Sequence, residues 1–144
     1  MRERKIIINT LIERYENLKA MVKDRHPEFN ELCAFAENET EYLTAPASSR
    51  FHLCKESGLL EHSLNVAETM LKMKNALAPE INDDSCIVTA LFHDLGKAGM
   101  PSSPLYIKNI NKKNKEPSVP VISQYIFMNG NTESNRRCVA YDVQ

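Results

Sequence analysis

The sequence lacks the features that would assign it to a special class of protein. Its 144 residues carry a formal net charge of −1, so no overall positive field points to nucleic acid. No apolar run approaches the roughly 20 residues that a membrane span needs. The charged start at Arg2–Lys5 is not followed by a long apolar segment, so we expect no signal peptide. With no internal repeat or low-complexity stretch, the chain has the size and composition of one soluble globular domain.

The cysteines show no pattern of a disulfide framework or a zinc site. Cys33, Cys54, Cys86 and Cys138 are widely spaced and form no C-x-x-C pair. Free thiols of this kind are common in reducing compartments, where they are usually buried. The sequence therefore favours a cytoplasmic protein with free cysteines.

Apolar residues recur at helical spacing through most of the first 95 residues. The pattern over residues 6–24 predicts a packing helix, and Pro27 suits the first turn of a second helix. A third helix is predicted from about Leu59 to Leu77, and Pro79 follows its end. One broad stripe of this third helix should face the core. Its members are Leu60, Ser63, Leu64, Val66, Ala67, Met70, Leu71 and Leu77.

The fourth predicted helix is apolar almost all round and should therefore be central. It covers residues 85–95, and Gly96 provides its C-terminal stop. Asn82, Asp83 and Asp84 precede it and supply a cap and first-turn negative charge.

Beyond Lys97 the sequence no longer predicts a long helix, because prolines interrupt it. Residues 105–107 and 121–128 read as strands, and a polar, basic loop lies between them, so a small β-hairpin is predicted. A short last helix is predicted over residues 133–141. The chain is thus expected to form a single, mainly α domain with a hairpin near the C-terminus. Its parts are N-terminal packing helices in residues 1–44, a motif-bearing helical core in 45–100, the hairpin in 101–130 and the last helix in 131–144.

Three side chains suited to metal binding lie beside the apolar stripes. His93 and Asp94 fall in the last turn of the fourth helix, and His62 lies at the flank of the third. A lone histidine beside an apolar face is more often structural, and a carboxylate in an apolar run is costly unless paired or bound to a cation. The His-Asp pair with a second histidine on a neighbouring helix favours a divalent metal site instead. Mn²⁺, Fe²⁺, Mg²⁺, Zn²⁺ and Ni²⁺ all suit such nitrogen and oxygen ligands.

Two stretches carry a resemblance to a known family. Gly58–Ala67 (GLLEHSLNVA) and Leu91–Lys97 (LFHDLGK) resemble the HD superfamily of metal-dependent phosphohydrolases. Residues 45–52 are similar to the entry of HD domains in certain 3′–5′ exoribonucleases and phage-type hydrolases. The resemblance implies an HD-type helical bundle. It also implies that a nucleotide or oligonucleotide phosphomonoester or phosphodiester is hydrolysed by metal-activated water.

The same resemblance implies a set of ligands. His62, His93 and Asp94 would hold the metal, and Asp94 could also take the proton of the attacking water. The family's last ligand is an aspartate from a later helix, for which Asp142 is the best candidate here. If Asp142 does not reach the site, the chain is a truncated domain with a weakened centre. His52 could then bind this metal or a second one, or it could be an ordinary loop histidine.

Two cations are candidates for contact with the substrate. The ammonium of Lys97 could hold a phosphate and steady its charge, or hold a metal-bound hydroxide, or it could be a favourable cation at a helix C-terminus. Arg50 could clamp a phosphate with two parallel hydrogen bonds, or it could form a surface ion pair.

Three functional hypotheses follow. The first is a metal-dependent phosphohydrolase acting on a phosphorylated small molecule or a nucleic-acid end. The second is a truncated, non-catalytic HD-fold module that binds nucleotide, nucleic acid or a partner protein. The third is a nucleic-acid-binding accessory protein that uses the basic loop and flanking tyrosines, although such a loop usually just faces water. The residues of this third hypothesis are Lys108, Lys112, Lys113, Lys115, Tyr106 and Tyr125.

Overall fold

The computed structural model describes residues 2–48, 52–108 and 125–127. Within these ranges the chain is mainly helical, as predicted, and none of the helices is long and apolar enough to cross a membrane. The helices are α1 (Arg2–Met21), α2 (His26–Glu39), α3 (Gly58–Leu77), α4 (Asp83–Phe92) and a 3₁₀ helix (Leu95–Ala98).

The core is built where α3 packs along α4, with α1 against both. Leu60 and Leu64 of α3 and Ile87 and Leu91 of α4 are almost fully buried. The prediction for the core stripe of α3 holds in its first half, but it is wrong for Leu77, which is 78% exposed. Leu77 lies at the end of α3, on an open apolar groove between α3 and α4 that none of the described residues fills.

The end of α4 differs from the prediction. The helix stops at Phe92, His93 follows as its C-cap, and Gly96 lies inside the 3₁₀ helix instead of ending α4. The carbonyl of Leu91 accepts a hydrogen bond of 2.7 Å from the buried Tyr42 hydroxyl. Because that carbonyl has a partner from outside the helix, the chain can change to a tighter turn without leaving it unsatisfied.

The connection between α2 and α3 lies directly against the start of α3. The Leu59 N–H donates to the Ala45 carbonyl at 2.9 Å, and the Ala47 N–H donates to the Leu53 carbonyl at 3.2 Å. A Cβ added to Gly58 would lie 2.0 Å from the Leu53 oxygen. Only glycine therefore lets this loop approach the first turn of α3 so closely.

Two short strands pair beyond the helical core. β1 (Tyr106–Lys108) and β2 (Tyr125–Phe127) are antiparallel, with Tyr106 opposite Phe127. These residues overlap the two predicted strands. Residues 109–124, which would connect them, and the predicted last helix over 133–141 lie outside the described residues. The hairpin as a unit and the four-part division of the chain therefore stay predictions.

Candidate functional site

His62, His93 and Asp94 come together in the structure. The Nε2 atoms of the two histidines lie 3.2 Å apart, and each lies 3.4 Å from Oδ2 of Asp94. His62 comes from the second turn of α3, and the other two residues follow α4 directly. Because α3 and α4 pack side by side, residues 31 positions apart in sequence share one cluster.

The ring of His93 is oriented by the helix that it terminates. Its Nδ1 donates a hydrogen bond of 2.8 Å to the carbonyl of Ala90, since a carbonyl oxygen can only accept. In the neutral ring this leaves Nε2 without a proton and turned toward His62 and Asp94. A backbone partner on one ring nitrogen is how proteins commonly fix a ligating histidine.

The electrostatics of the cluster favour the protonation states that bind metals. Burial alone would raise the pKa of Asp94, but the hydrogen bond from Lys97 and the nearby imidazoles lower it below its usual value. Burial lowers the pKa of His62, and the neighbouring His93 lowers it further, against the opposing effect of Asp94. At neutral pH the cluster is thus a carboxylate beside a neutral imidazole, the forms in which these groups ligate a cation.

The donor set fits a divalent ion. Ligand atoms bound to one ion at about 2.1 Å are separated from each other by about 3 to 3.5 Å, and the three distances in this cluster lie in that range. Two nitrogens and a carboxylate oxygen could hold Mn²⁺, Fe²⁺, Zn²⁺ or Ni²⁺, and Mg²⁺ less readily because it prefers oxygen.

Lys97 is part of the same group of residues. Its Nζ donates to Oδ2 of Asp94 at 2.7 Å, and about a third of its side chain is exposed. The ammonium therefore contacts the same carboxylate oxygen that faces the two histidines. A cation bound by that oxygen would compete with Lys97, which could then reach toward another anion.

The other candidate residues stand as follows. His52 is exposed and its ring lies 5.1 Å from that of His62, centroid to centroid. It is not a member of the described set of three whose ligand atoms all lie within 4.8 Å of one another. Arg50, Asp142 and most lysines of the basic loop lie outside the described residues, so their predicted roles stay predictions.

The sequence does not predict that Tyr106 interacts with residues of the site. Burial raises the pKa of the half-buried Tyr106, and the charges of Lys97 and Asp94 act on it in opposite directions, Lys97 lowering it and Asp94 raising it. From the sequence, Tyr106 is either a base-stacking residue beside the basic loop or part of a solvated hairpin. No local pattern links a tyrosine nine residues beyond Lys97 to the metal ligands, so only the fold could reveal this interaction.

The comparisons with known proteins agree with this geometry. A dihydroneopterin 2′,3′-cyclic phosphate phosphodiesterase of Methanocaldococcus jannaschii is 42% identical over 57 residues, which cover 37% of this chain and 23% of the relative. The chain thus spans less than a quarter of that relative's length. The comparison with solved structures gave no match. The family model of the HD domain matches residues 59–137, more than half of the chain, and this span contains His62, His93 and Asp94. The chain therefore belongs to the HD domain family.

Proposed function

We propose that this HD domain is a metal-dependent phosphohydrolase that cleaves a phosphomonoester or phosphodiester. The observation that carries the proposal is the convergence of His62, His93 and Asp94 within a set of ligand atoms no more than 4.8 Å apart. Membership of the HD family and the phosphodiesterase named among its relatives support the reaction class.

These three residues would hold the ion, with Asp142 as the proposed fourth ligand. A divalent ion held there would supply a water molecule of lowered pKa and would neutralise charge on a phosphoryl group. The lowered pKa of Asp94 keeps its carboxylate ionised, which suits a ligand. The same shift makes Asp94 a weak base, so we place its ligand role first and its role as proton acceptor second.

Lys97 would stabilise the phosphoryl oxygens. Its partly exposed ammonium lies 2.7 Å from Asp94 and carries three N–H donors, only one of which is needed for that contact. A cation positioned in this way acts where negative charge accumulates during phosphoryl transfer. Arg50 is proposed as a second phosphate-binding residue with bidentate geometry.

The proposed substrate is a nucleotide, an oligonucleotide end or a similar phosphorylated small molecule. The relative from Methanocaldococcus jannaschii is named for a cyclic phosphate of a pterin, which is a heterocyclic compound like a nucleobase. That name supports a phosphoester attached to a heterocyclic group.

Hydrolysis of generic chromogenic esters tests the proposal. Wild-type protein and the His93→Ala variant are assayed with bis(p-nitrophenyl) phosphate and p-nitrophenyl phosphate, each with Mn²⁺, Fe²⁺, Ni²⁺, Zn²⁺ or Mg²⁺. We expect metal-dependent hydrolysis by the wild type and its loss in the variant, with circular dichroism as the control for folding. Equal rates for the two proteins, or no rate with any ion, would contradict the proposal.

A non-catalytic HD-fold module is the second candidate. It is favoured by one observation: within the described residues three ligands converge, and one of them already has Lys97 as its partner. Such a module would bind a nucleotide at the cluster and release it unchanged. Saturable nucleotide binding without turnover, measured by calorimetry and by product analysis, would support this candidate over the enzyme.

A further inference from the structure

Three imidazoles follow one another across the site. The rings of His93 and His62 have centroids 5.2 Å apart, and the rings of His62 and His52 have centroids 5.1 Å apart. His93 and His62 belong to the cluster of possible metal ligands, whereas His52 is an exposed residue beside it. An imidazole at this position adds a hydrogen-bond donor beside the cluster.

The loop that carries His52 is fixed by its own hydrogen bonds. The hydroxyl of Ser48 donates to the carbonyl of His52 at 3.1 Å. The next carbonyl, that of Leu53, accepts from the N–H of Ala47 at 3.2 Å and from the N–H of Lys55 at 2.8 Å. The backbone at His52 and Leu53 is therefore held, in contrast to that of a histidine on a free surface loop.

A close approach to the start of α3 sets the position of this loop. The Leu53 oxygen lies where a Cβ on Gly58 would come within 2.0 Å of it. Leu53 itself adopts a left-handed backbone with φ of 52°, which a leucine rarely takes. Because Gly58 begins the helix that carries His62, the loop and the candidate ligand are both positioned by the start of α3.

We propose that His52 is a substrate-contacting residue, which donates a hydrogen bond to a phosphoryl oxygen of a phosphoester bound beside His62. The proposal rests on the proposed function above and adds a residue to it. A neutral imidazole keeps one N–H, so the contact does not require a charged ring. Gly58 is the positioning residue, since its lack of a Cβ allows the loop that carries His52 to pack against the start of α3.

The test uses a pair of substitutions at position 52 and inorganic phosphate as the probe. His52→Phe keeps a ring against His62 but removes the donor, whereas His52→Asn keeps a donor. Mn²⁺ affinity and phosphate affinity of the Mn²⁺-loaded protein are measured by calorimetry. We expect His52→Phe to weaken phosphate binding about tenfold or more, the usual effect of losing a hydrogen bond to a charged group, and His52→Asn to recover most of it.

The affinity for Mn²⁺ separates this role from that of a metal ligand. His52→Phe should leave Mn²⁺ affinity unchanged within about twofold, because the imidazole that it removes is not one of the three described ligands and a ring is kept against His62. His26→Phe is the matched control, since His26 is an exposed histidine at the start of α2 that contacts Asn30. It should change neither quantity.

The outcomes distinguish this proposal from the one on which it rests. Loss of Mn²⁺ affinity in His52→Phe would make His52 a ligand and overturn the proposal. Unchanged phosphate affinity and unchanged KM for p-nitrophenyl phosphate, in an active wild-type enzyme, would overturn it and leave the phosphohydrolase intact. A wild-type protein that binds neither Mn²⁺ nor phosphate would overturn both.

Discussion

The two ends of α4 place a carboxylate in opposite surroundings. At the N-terminal end, Asp84 is 5% exposed, and its Oδ2 accepts hydrogen bonds from the backbone N–H groups of Lys23 and Asp24 at 3.0 and 2.7 Å. Just beyond the C-terminal end, Asp94 is partly exposed and faces the imidazoles of His62 and His93 and the ammonium of Lys97.

The difference teaches which carboxylate is available for chemistry. The partners of Asp84 are amides of the connection between α1 and α2, so this carboxylate ties the start of α4 to another part of the fold. Backbone amides cannot move away or lose a proton. The partners of Asp94 are side chains that can titrate, rotate or give way to a cation. We therefore expect Asp84 to contribute to stability and Asp94 to function.

The largest expected effect comes from removing the charge of Asp94. Asp94→Asn should lower Mn²⁺-dependent hydrolysis of bis(p-nitrophenyl) phosphate more than about hundredfold, because changes even beyond the ligands of a metal often cost ten- to hundredfold. The free energy of unfolding should change by less than about 1 kcal/mol, as for a partly exposed ion pair. Steady-state kinetics and urea denaturation measure the two quantities. Retention of most of the activity would remove Asp94 from the site.

Asp84→Ala should show the reverse pattern. The backbone N–H groups of Lys23 and Asp24 would lose their buried carboxylate acceptor, so the free energy of unfolding should fall by about 3 kcal/mol. Mn²⁺ affinity measured below the unfolding transition should stay the same. Asp83→Ala is the matched control, because Asp83 is a half-exposed carboxylate paired with Lys74 and should cost less than about 1 kcal/mol. Equal destabilisation by the two variants would contradict the role given to Asp84.

Two glycines near the site should respond differently to the same added methyl group. Gly58→Ala places a Cβ 2.0 Å from the Leu53 oxygen, so the loop must shift, at about 2 kcal/mol of stability. Gly96→Ala meets no atom within 4 Å and should change stability by less than about 0.5 kcal/mol. Thermal unfolding compares them. If the loop positions His52, Gly58→Ala should also weaken phosphate binding.

The smallest expected effect is the pH dependence of stability in metal-free protein. His62 has a lowered pKa in the folded state, so as the pH falls the unfolded chain binds this proton first, at about pH 6.5. Stability should therefore fall as the pH drops from about 7 to about 5, and His62→Gln should flatten this slope. Urea denaturation across that range measures it. A slope unchanged in the variant would contradict the environment assigned to His62.

Asp94 has its own pH window. Its lowered pKa stabilises the fold above the ordinary carboxyl value of about 4, and this contribution is lost as the pH falls through the lower, folded value. Asp94→Asn should therefore flatten the stability profile only below about pH 4, well separated from the effect of His62→Gln.

The sequence predicts the features that depend on local pattern. The apolar spacing and the flanking Gly58 and Pro79 place α3 within one residue of its observed start. The sequence predicts a shared site for His62, His93 and Asp94, because a carboxylate in an apolar run needs a partner. The structure places them in contact, and their ligand roles are part of the proposal.

The features that the sequence did not predict depend on contacts between distant residues. The sequence predicts only first-turn charge for Asp84, because no local pattern indicates that it accepts hydrogen bonds from two backbone amides 60 and 61 residues earlier in the chain. α4 ends next to the Leu91 carbonyl that accepts a hydrogen bond from the Tyr42 hydroxyl, and Tyr42 lies in the loop after α2, far away in sequence. The charges of Lys97 and Asp94 act on the pKa of Tyr106, and no local sequence pattern predicts this.

The most direct measurement is the divalent-metal content of the purified protein, determined by elemental analysis after incubation with Mn²⁺ and removal of the excess. If α3 and the end of α4 bring two imidazoles and a carboxylate to one cation, the wild type should retain about one ion per chain when the free metal concentration is micromolar or lower. His93→Ala should retain almost none. Equal metal content in the two proteins, or none in the wild type, would contradict a metal centre at His62, His93 and Asp94.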